Sequence, residues 1–182
     1  MLTANYKETI VHENSSYMNV SHSEAVGCSI HELKSRDKFG AIREIVGNCP
    51  VFDFFHNTNL KEAFLKEVFD REALCTTGIG HNVAIPHGKC TSIDKVRIGL
   101  GISKKGLDFN SIDGEPVHLV LVIGSNPSNQ VEYLKSLAYI MNHLKNPLLR
   151  TALTNLSFSY TSQKEDLYSR FLDIMKTQIF SS

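Results

Sequence analysis

The 182-residue chain has no tryptophan, only four cysteines and five prolines, and no excess of charge of either sign, with 19 Lys plus Arg against 19 Asp plus Glu. Each scarcity excludes something. A zero formal charge argues against a protein held to nucleic acid by bulk charge, because that binding needs a basic surface to displace counterions. Cys28, Cys49, Cys75 and Cys90 fall at irregular spacings with no Cys-x-x-Cys pair. Reduced, mostly buried thiols are therefore expected, and neither a disulfide frame nor a zinc site. The longest aliphatic run, Leu119 to Ile123, is far too short for a membrane span, and the first twenty residues hold no apolar stretch of signal-peptide length. No membrane insertion and a cytoplasmic location are the expectation. There are no repeats and no low-complexity tract.

What is present suits one folded domain. Hydrophobic residues make up 42% of the chain and charged residues 21%, within the ordinary range for a globular protein. Residues 1–16 are polar and aperiodic and read as a loose N-terminal extension, leaving 17–182 as the domain. Val26 to Leu33 suits a short strand. Ser35 offers a helix N-cap, followed by Phe39, Ile42, Ile45 and Val46 at helical spacing. Asn59 with Glu62 resembles a capping box, with Phe64, Leu65, Val68 and Phe69 as the apolar face of a second helix fading near Arg71 and Glu72. Strands are predicted over Val96 to Ser103 and Val117 to Gly124, with an Asp113-Gly114 turn between them. The run HLVLVIG is apolar almost without alternation, as in a strand covered on both faces. A helix from about Asn129 to Leu144 should bury Val131, Leu134, Leu137, Ala138 and Met141. Pro147 punctuates it before a short helical stretch over Leu148 to Leu153, and a last helix begins at Ser162 with Glu165 in a second capping box. Strands and helices interleave, which predicts an α/β fold.

The most informative stretch is Gly78-Ile79-Gly80-His81-Asn82-Val83-Ala84-Ile85-Pro86-His87-Gly88. Gly78 and Gly80 allow backbone angles and close approaches closed to other residues. Val83 to Ile85 reads as a core strand. Pro86 cannot donate a ladder hydrogen bond, so the strand should end there or run along an edge. His87 then stands at the strand end, with Gly88 leaving its imidazole uncovered on one side. Neutral imidazole in an open site is a competent nucleophile. The same residues also fit an ordinary polar histidine beside a Gly-rich loop. The Gly78-x-Gly80 pair lacks the third glycine of a dinucleotide site. Elsewhere His12, His22 and His31 show no metal-ligand spacing. His56 and His143 read as solvated, His81 as a loop residue within possible reach of the site, and His118 as a satisfied inner residue. No metal and no cofactor are expected.

TTGIGHNVAIPHGK closely resembles the signature of the fructose, mannitol and nitrogen-regulatory class of phosphotransferase-system enzyme IIA domains, roughly T-G-[IV]-G-x-G-[IVL]-A-[IV]-P-H-G. Asn82 replaces one glycine and also tolerates left-handed backbone angles. IHELKSRDKFGAIREIV, Asp70-Arg71-Glu72 and GLDFNSIDGEPVHLVLVI resemble further parts of the family, so that the likeness runs from about Tyr17 to Phe180. The resemblance implies a single α/β domain with a mixed β-sheet flanked by helices. It implies that His87 takes a phosphoryl group from the phosphocarrier HPr. Arg71 is then the electrostatic partner of the phosphoryl group, since guanidinium is a good donor array for its oxygens; read alone, Arg71 is a solvated charge at a helix C-terminus. Backbone amides at Gly80 and Gly88 are expected to assist. Tyr133 stands where the family usually has a second histidine. It can give one neutral hydrogen bond but cannot become cationic, so slower transfer is expected; a half-buried packing role fits it equally. The ground around His87 should be mostly apolar and neutral, for brief docking of an HPr-like carrier. With no room for an attached IIB, IIC or HPr domain, a stand-alone protein of the nitrogen-regulatory branch is expected, acting on regulated target proteins. The alternatives are a sugar-specific enzyme IIA donating to a separate enzyme IIB, and a binding module that is never phosphorylated.

Overall fold

The computed structural model describes residues 26–55 and 57–156. The N-terminal extension, the helix expected at Ser162, and His12, His22 and His56 lie outside the described residues. In chain order the elements are β1 (Val26–Glu32), α1 (Lys38–Asn48), a 3-10 turn (Pro50–Phe52), α2 (Thr58–Leu74), β2 (Gly78–Gly80), β3 (Val83–Ala84), β4 (His87–Lys89), β5 (Val96–Leu107), β6 (Val117–Ser125), α3 (Gln130–Leu144) and α4 (Pro147–Thr154). One mixed sheet has the order β1-β5-β6-β3-β2, and β4 also pairs with β6. β1 runs parallel to β5, β6 antiparallel to β5, and β3 and β4 both parallel to β6.

Side-chain alternation divides this sheet between two helical layers. In β5, Ile98, Leu100 and Ile102 join Leu119, Leu121 and Ile123 of β6 beneath α3 and α4. Val120 and Val122 face the opposite way, with Ile42, Ile45, Phe52, Phe64 and Val68 of the α1–α2 layer. The unbroken apolar run in β6 thus reflects burial on both faces, as its sequence predicts. Gly99 and Gly101 let α1 come close: a Cβ on either would sit 2.6 or 2.5 Å from Ile45 side-chain atoms.

Several element ends and faces differ from expectation. The cap of α1 is Asp37, whose carboxylate accepts from the Gly40 amide at 2.8 Å, whereas the Ser35 hydroxyl donates to Glu44. Asn57, not Asn59, caps α2, taking the Asn59 N–H at 2.8 Å. Glu62 is drawn away to Arg43 of α1, at 2.8 and 3.1 Å, so no capping box forms. α2 runs on to Leu74, which makes Arg71 and Glu72 helical. In α3 the buried set is Ser136, Ile140 and Leu144, joined by partly buried Tyr133, Leu137 and Met141, while Val131, Leu134 and Ala138 face solvent. None of the four cysteines is in a disulfide among the described residues, but only Cys49 is buried and Cys75 is exposed.

No helix among the described residues is long and apolar enough to cross a membrane.

Candidate functional site

The segment from Thr76 to Lys89 is built by strand pairing on β6. β3 aligns Val83 with Leu119, and β4 aligns His87 with Ile123, so the chain keeps one register along β6 across Pro86. β3 ends at Ala84, short of Pro86, whose missing N–H cannot join the ladder. The Pro86 carbonyl still accepts from the Ile123 N–H at 2.9 Å, and pairing resumes at the next residue. Constant register preserves alternation. His87 therefore shares the α3 face with Val83 and Ile85, and Gly88 faces α2. A Cβ on Gly88 would lie 2.7 Å from Val68 Cγ2 and 3.2 Å from Phe64 Cε2.

The imidazole of His87 is half-buried, with Nδ1 2.9 Å from the Ile85 carbonyl oxygen. That oxygen can only accept, so Nδ1 carries the proton in this contact. Nε2 then holds the lone pair of a neutral ring. The ring centroid lies 6.0 Å from that of Tyr133, at an interplanar angle of 43°. Burial raises the Tyr133 hydroxyl above its ordinary value, and the nearby Arg71 guanidinium offsets part of that rise. Tyr133 is thus a neutral phenol at physiological pH, with His87 on one side and Arg71 within electrostatic range on the other. Arg71 is itself held: its Nη1 donates to the Cys75 carbonyl at 2.9 Å.

A buried carboxylate that the sequence reading left without a role organises this corner. The Glu72 side chain is fully buried. Its Oε2 accepts from the Thr77 amide at 3.0 Å and the Thr77 hydroxyl at 2.5 Å, and its Oε1 lies 3.2 Å from Lys38 Nζ. The Thr77 carbonyl takes the Ile85 N–H at 3.0 Å, and the Ile85 carbonyl takes the His87 ring proton. Glu72 thus fixes the His87 imidazole through two intervening residues. The sequence signal was present in the Arg-Glu pair, but only the structure shows that Glu72 is the buried member and Arg71 the half-buried one. Lys89 is a second missed neighbour: it lies two residues along the same strand face and is exposed.

The glycines do not serve as expected. Gly80 aligns with Val83, four residues of extended chain from His87, or about 13 Å. Its amide donates to Ser111 Oγ at 3.2 Å, and the His81 amide donates to the Asp113 carboxylate at 2.7 Å. The His81 amide, with the Glu115 amide, holds Asp113 below the ordinary carboxylate range. Neither the Gly80 amide nor the His81 side chain is therefore placed to meet a group on His87. Gly88 is buried, and its N–H falls between two ladder bonds to β6, from Ile123 to Pro86 and from Cys90 to Ser125. Ladder alternation turns it towards β6 and away from an anion. Its use is close packing, and Gly88→Ala should cost about 1–3 kcal/mol by overpacking, read as a lower denaturant midpoint.

Asn82 and His81 form the β2–β3 turn at φ 65° and 56°. Asn82 Nδ2 also donates to the Pro116 carbonyl at 2.8 Å. Asn82→Ala is accordingly expected to cost about 1–2 kcal/mol in chemical denaturation, combining left-handed strain with a lost hydrogen bond, and Asn82→Gly less.

Exposed Leu74 follows Arg71 by one turn of α2, and exposed Val131 and Leu134 flank Tyr133 on α3. Two cavities lined by described residues, of about 290 and 600 Å³, do not include His87, which stands at a strand edge. Among the described residues no group of three or more His, Cys, Asp and Glu side chains could hold a metal ion.

Residues 29–163 match the family described as phosphoenolpyruvate-dependent sugar phosphotransferase system, EIIA 2. The chain is similar to the fructose-specific EIIABC component of Bacillus subtilis, 33% identical over 66% of this chain and 19% of that protein. It is also similar to the nitrogen regulatory protein of Bradyrhizobium diazoefficiens, 35% identical over 62% of this chain and 71% of that one. The chain thus spans about a fifth of the fructose component's length. Its fold is similar to that of nitrogen regulatory protein IIA-Ntr from Neisseria meningitidis, with a TM-score of 0.64 and 18% identity over 84% and 97% of the two chains. The fold also matches the complex of enzyme IIAMtl and phosphorylated enzyme IIBMtl from Escherichia coli, with a TM-score of 0.55 and 18% identity over 81% and 95%.

Proposed function

The chain belongs to the EIIA 2 family of the phosphoenolpyruvate-dependent sugar phosphotransferase system, and on that premise we propose that it takes a phosphoryl group from an HPr-type phosphocarrier on His87. The observation that carries this reading is the hydrogen bond from His87 Nδ1–H to the Ile85 carbonyl, which leaves the Nε2 lone pair free at an open strand edge. In the step, Nε2 attacks phosphorus and a new N–P bond forms as the bond between phosphorus and the donor nitrogen breaks. The imidazolium so formed keeps its Nδ1 proton on Ile85. Arg71 opposes the charge that spreads over the three phosphoryl oxygens, and Lys89 adds a second cation along the same face. Apolar Leu74, Val131 and Leu134 beside this corner suit a small, transient docking surface.

The phosphorylated form then acts as a regulatory signal on target proteins. Similarity to a nitrogen regulatory protein at 35% identity supports this branch. The second reading, donation to a separate enzyme IIB, draws support from the fructose-specific relative and from the IIAMtl–IIBMtl complex. Offering the labelled protein to a fructose- or mannitol-type IIB domain separates the two: rapid discharge of the label would replace regulation with sugar uptake.

Tyr133 sets the rate. Charge-assisted hydrogen bonds are about twice as strong as neutral ones, so a phenol in place of an imidazolium raises the barrier by on the order of 1 kcal/mol. Tyr133→His is expected to speed labelling of His87 about fivefold in an assay with enzyme I, HPr and phosphoenolpyruvate. An unchanged rate would make Tyr133 a packing residue only.

A further inference from the structure

At the other end of the sheet from His87 lies a concavity of about 600 Å³, formed where β1 leads into α1 and where the β5 strand bulges. Register fixes its place: Glu32 aligns with Ile102 and Ile102 with Leu119, whereas His87 aligns with Ile123. Four cations, Lys34, Arg36, Lys104 and Lys105, line it against a single carboxylate, Glu32. Lys34, Arg36 and Lys105 are exposed, and none takes part in the five ion pairs found among the described residues. Lys104 is held in place by the Thr154 and Leu156 carbonyls, both 2.6 Å from Nζ. For a chain of zero net charge this is a local excess, not a reflection of general basicity.

The loop is also preorganised. Glu44 accepts the Lys34 amide at 3.0 and 3.2 Å, the Ser35 amide at 2.8 Å and the Ser35 hydroxyl at 2.5 Å, and it meets His31 Nε2 at 3.0 Å. Burial works against its charge, but these hydrogen bonds together hold it down to about 2. It is engaged by the backbone and His31 beneath the cavity and forms none of its ion pairs with the cations on the rim. Leu33 is the sole aliphatic residue in the lining.

We infer that this cavity binds a small molecule bearing a pyrophosphate group. The volume falls in the usual small-ligand range of roughly 300–1,000 Å³. Four positive charges against one negative match a linked pair of phosphates better than a lone one. Arg36 offers the planar fork suited to phosphate oxygens, with the lysines as point charges beside it.

Titration of the whole protein with inorganic pyrophosphate and with ADP, followed by amide chemical shifts, tests this. Saturable shifts are expected at Lys34 to Arg36 and Lys104 to Gly106, with affinity falling steeply between low and physiological salt. Arg36→Ala and Lys105→Ala should each weaken binding about fivefold or more, and His87→Ala should leave it unchanged. Labelling of His87 by HPr should proceed normally in Arg36→Ala, so failure here and failure of the phosphocarrier reading are separate results. The inference is overturned if no saturable shift appears, if the shifts centre on His87, or if Arg36→Ala and Lys105→Ala bind as the wild type does. Tighter binding of a single-stranded oligonucleotide to the same residues would equally overturn it, in favour of a nucleic-acid surface.

Discussion

Incubated with enzyme I, HPr and labelled phosphoenolpyruvate, His87→Ala is expected to take up no label while remaining folded. The side chain is half-buried and makes one hydrogen bond, to Ile85, so its removal should cost only about 1 kcal/mol of stability. Two other described histidines do not replace it. His31 is occupied by Glu44, His118 Nδ1 is bound to the Ser103 carbonyl, and neither lies on the α3-facing edge with Tyr133 and Arg71. Arg71→Ala should slow labelling by about a hundredfold, the usual effect of removing one donor aimed at developing charge. Arg71→Lys should recover part of that loss, as a point charge without the planar fork. Label retained in His87→Ala, or an Arg71→Ala rate within a factor of two of wild type, would defeat the assignment.

Loss of the Glu72 carboxylate should have the largest effect on stability. Glu72→Ala leaves the partly exposed Lys38 ammonium, and the buried amide and hydroxyl of Thr77, without their acceptor. Breaking a buried pair from one side costs about 3–5 kcal/mol. At about 2–4 °C per kcal/mol for a domain of this size, Tm should fall by roughly 10 °C. Lys38→Met should soften the loss, because the ammonium then no longer needs a counter-charge; a double-mutant cycle should give a coupling of at least about 1 kcal/mol. Glu72→Gln keeps the shape and loses the charge, and should be the milder variant. The same change reaches the site, since Thr77 holds Ile85 and Ile85 holds the His87 ring. Assayed well below its Tm, Glu72→Gln should therefore label more slowly while docking HPr as well as the wild type. A rate equal to wild type would leave Glu72 a purely structural residue.

Where the chain alone misleads, the reason lies in choices that packing makes. Ser35 and Asp37 both have N-cap chemistry, as do Asn59 and Asn57. The cap goes to the residue whose backbone is extended with its side chain aimed at a free amide, and the nearby Glu44 has already engaged Ser35. The α3 sequence carries two stripes at helical spacing. Val131, Leu134 and Ala138 look more apolar, yet Tyr133, Ser136, Ile140 and Leu144 meet the sheet. Ser136 is acceptable there because its hydroxyl is satisfied by the Glu132 carbonyl at 2.7 Å. Pro86 does interrupt the strand, but its carbonyl serves the ladder although its nitrogen cannot, so that pairing resumes at His87.

The sequence by itself determined the α/β class and the doubly buried strand over Val117 to Ile123. Hydrophobic period and a dense local motif are properties of neighbouring residues and survive without coordinates. Only the tertiary structure decided what the glycines do and which ring nitrogen of His87 is free. Both depend on the register of Val83 to Lys89 on β6, a long-range pairing that carries Gly80 about 13 Å away from His87 and turns the imidazole back onto Ile85.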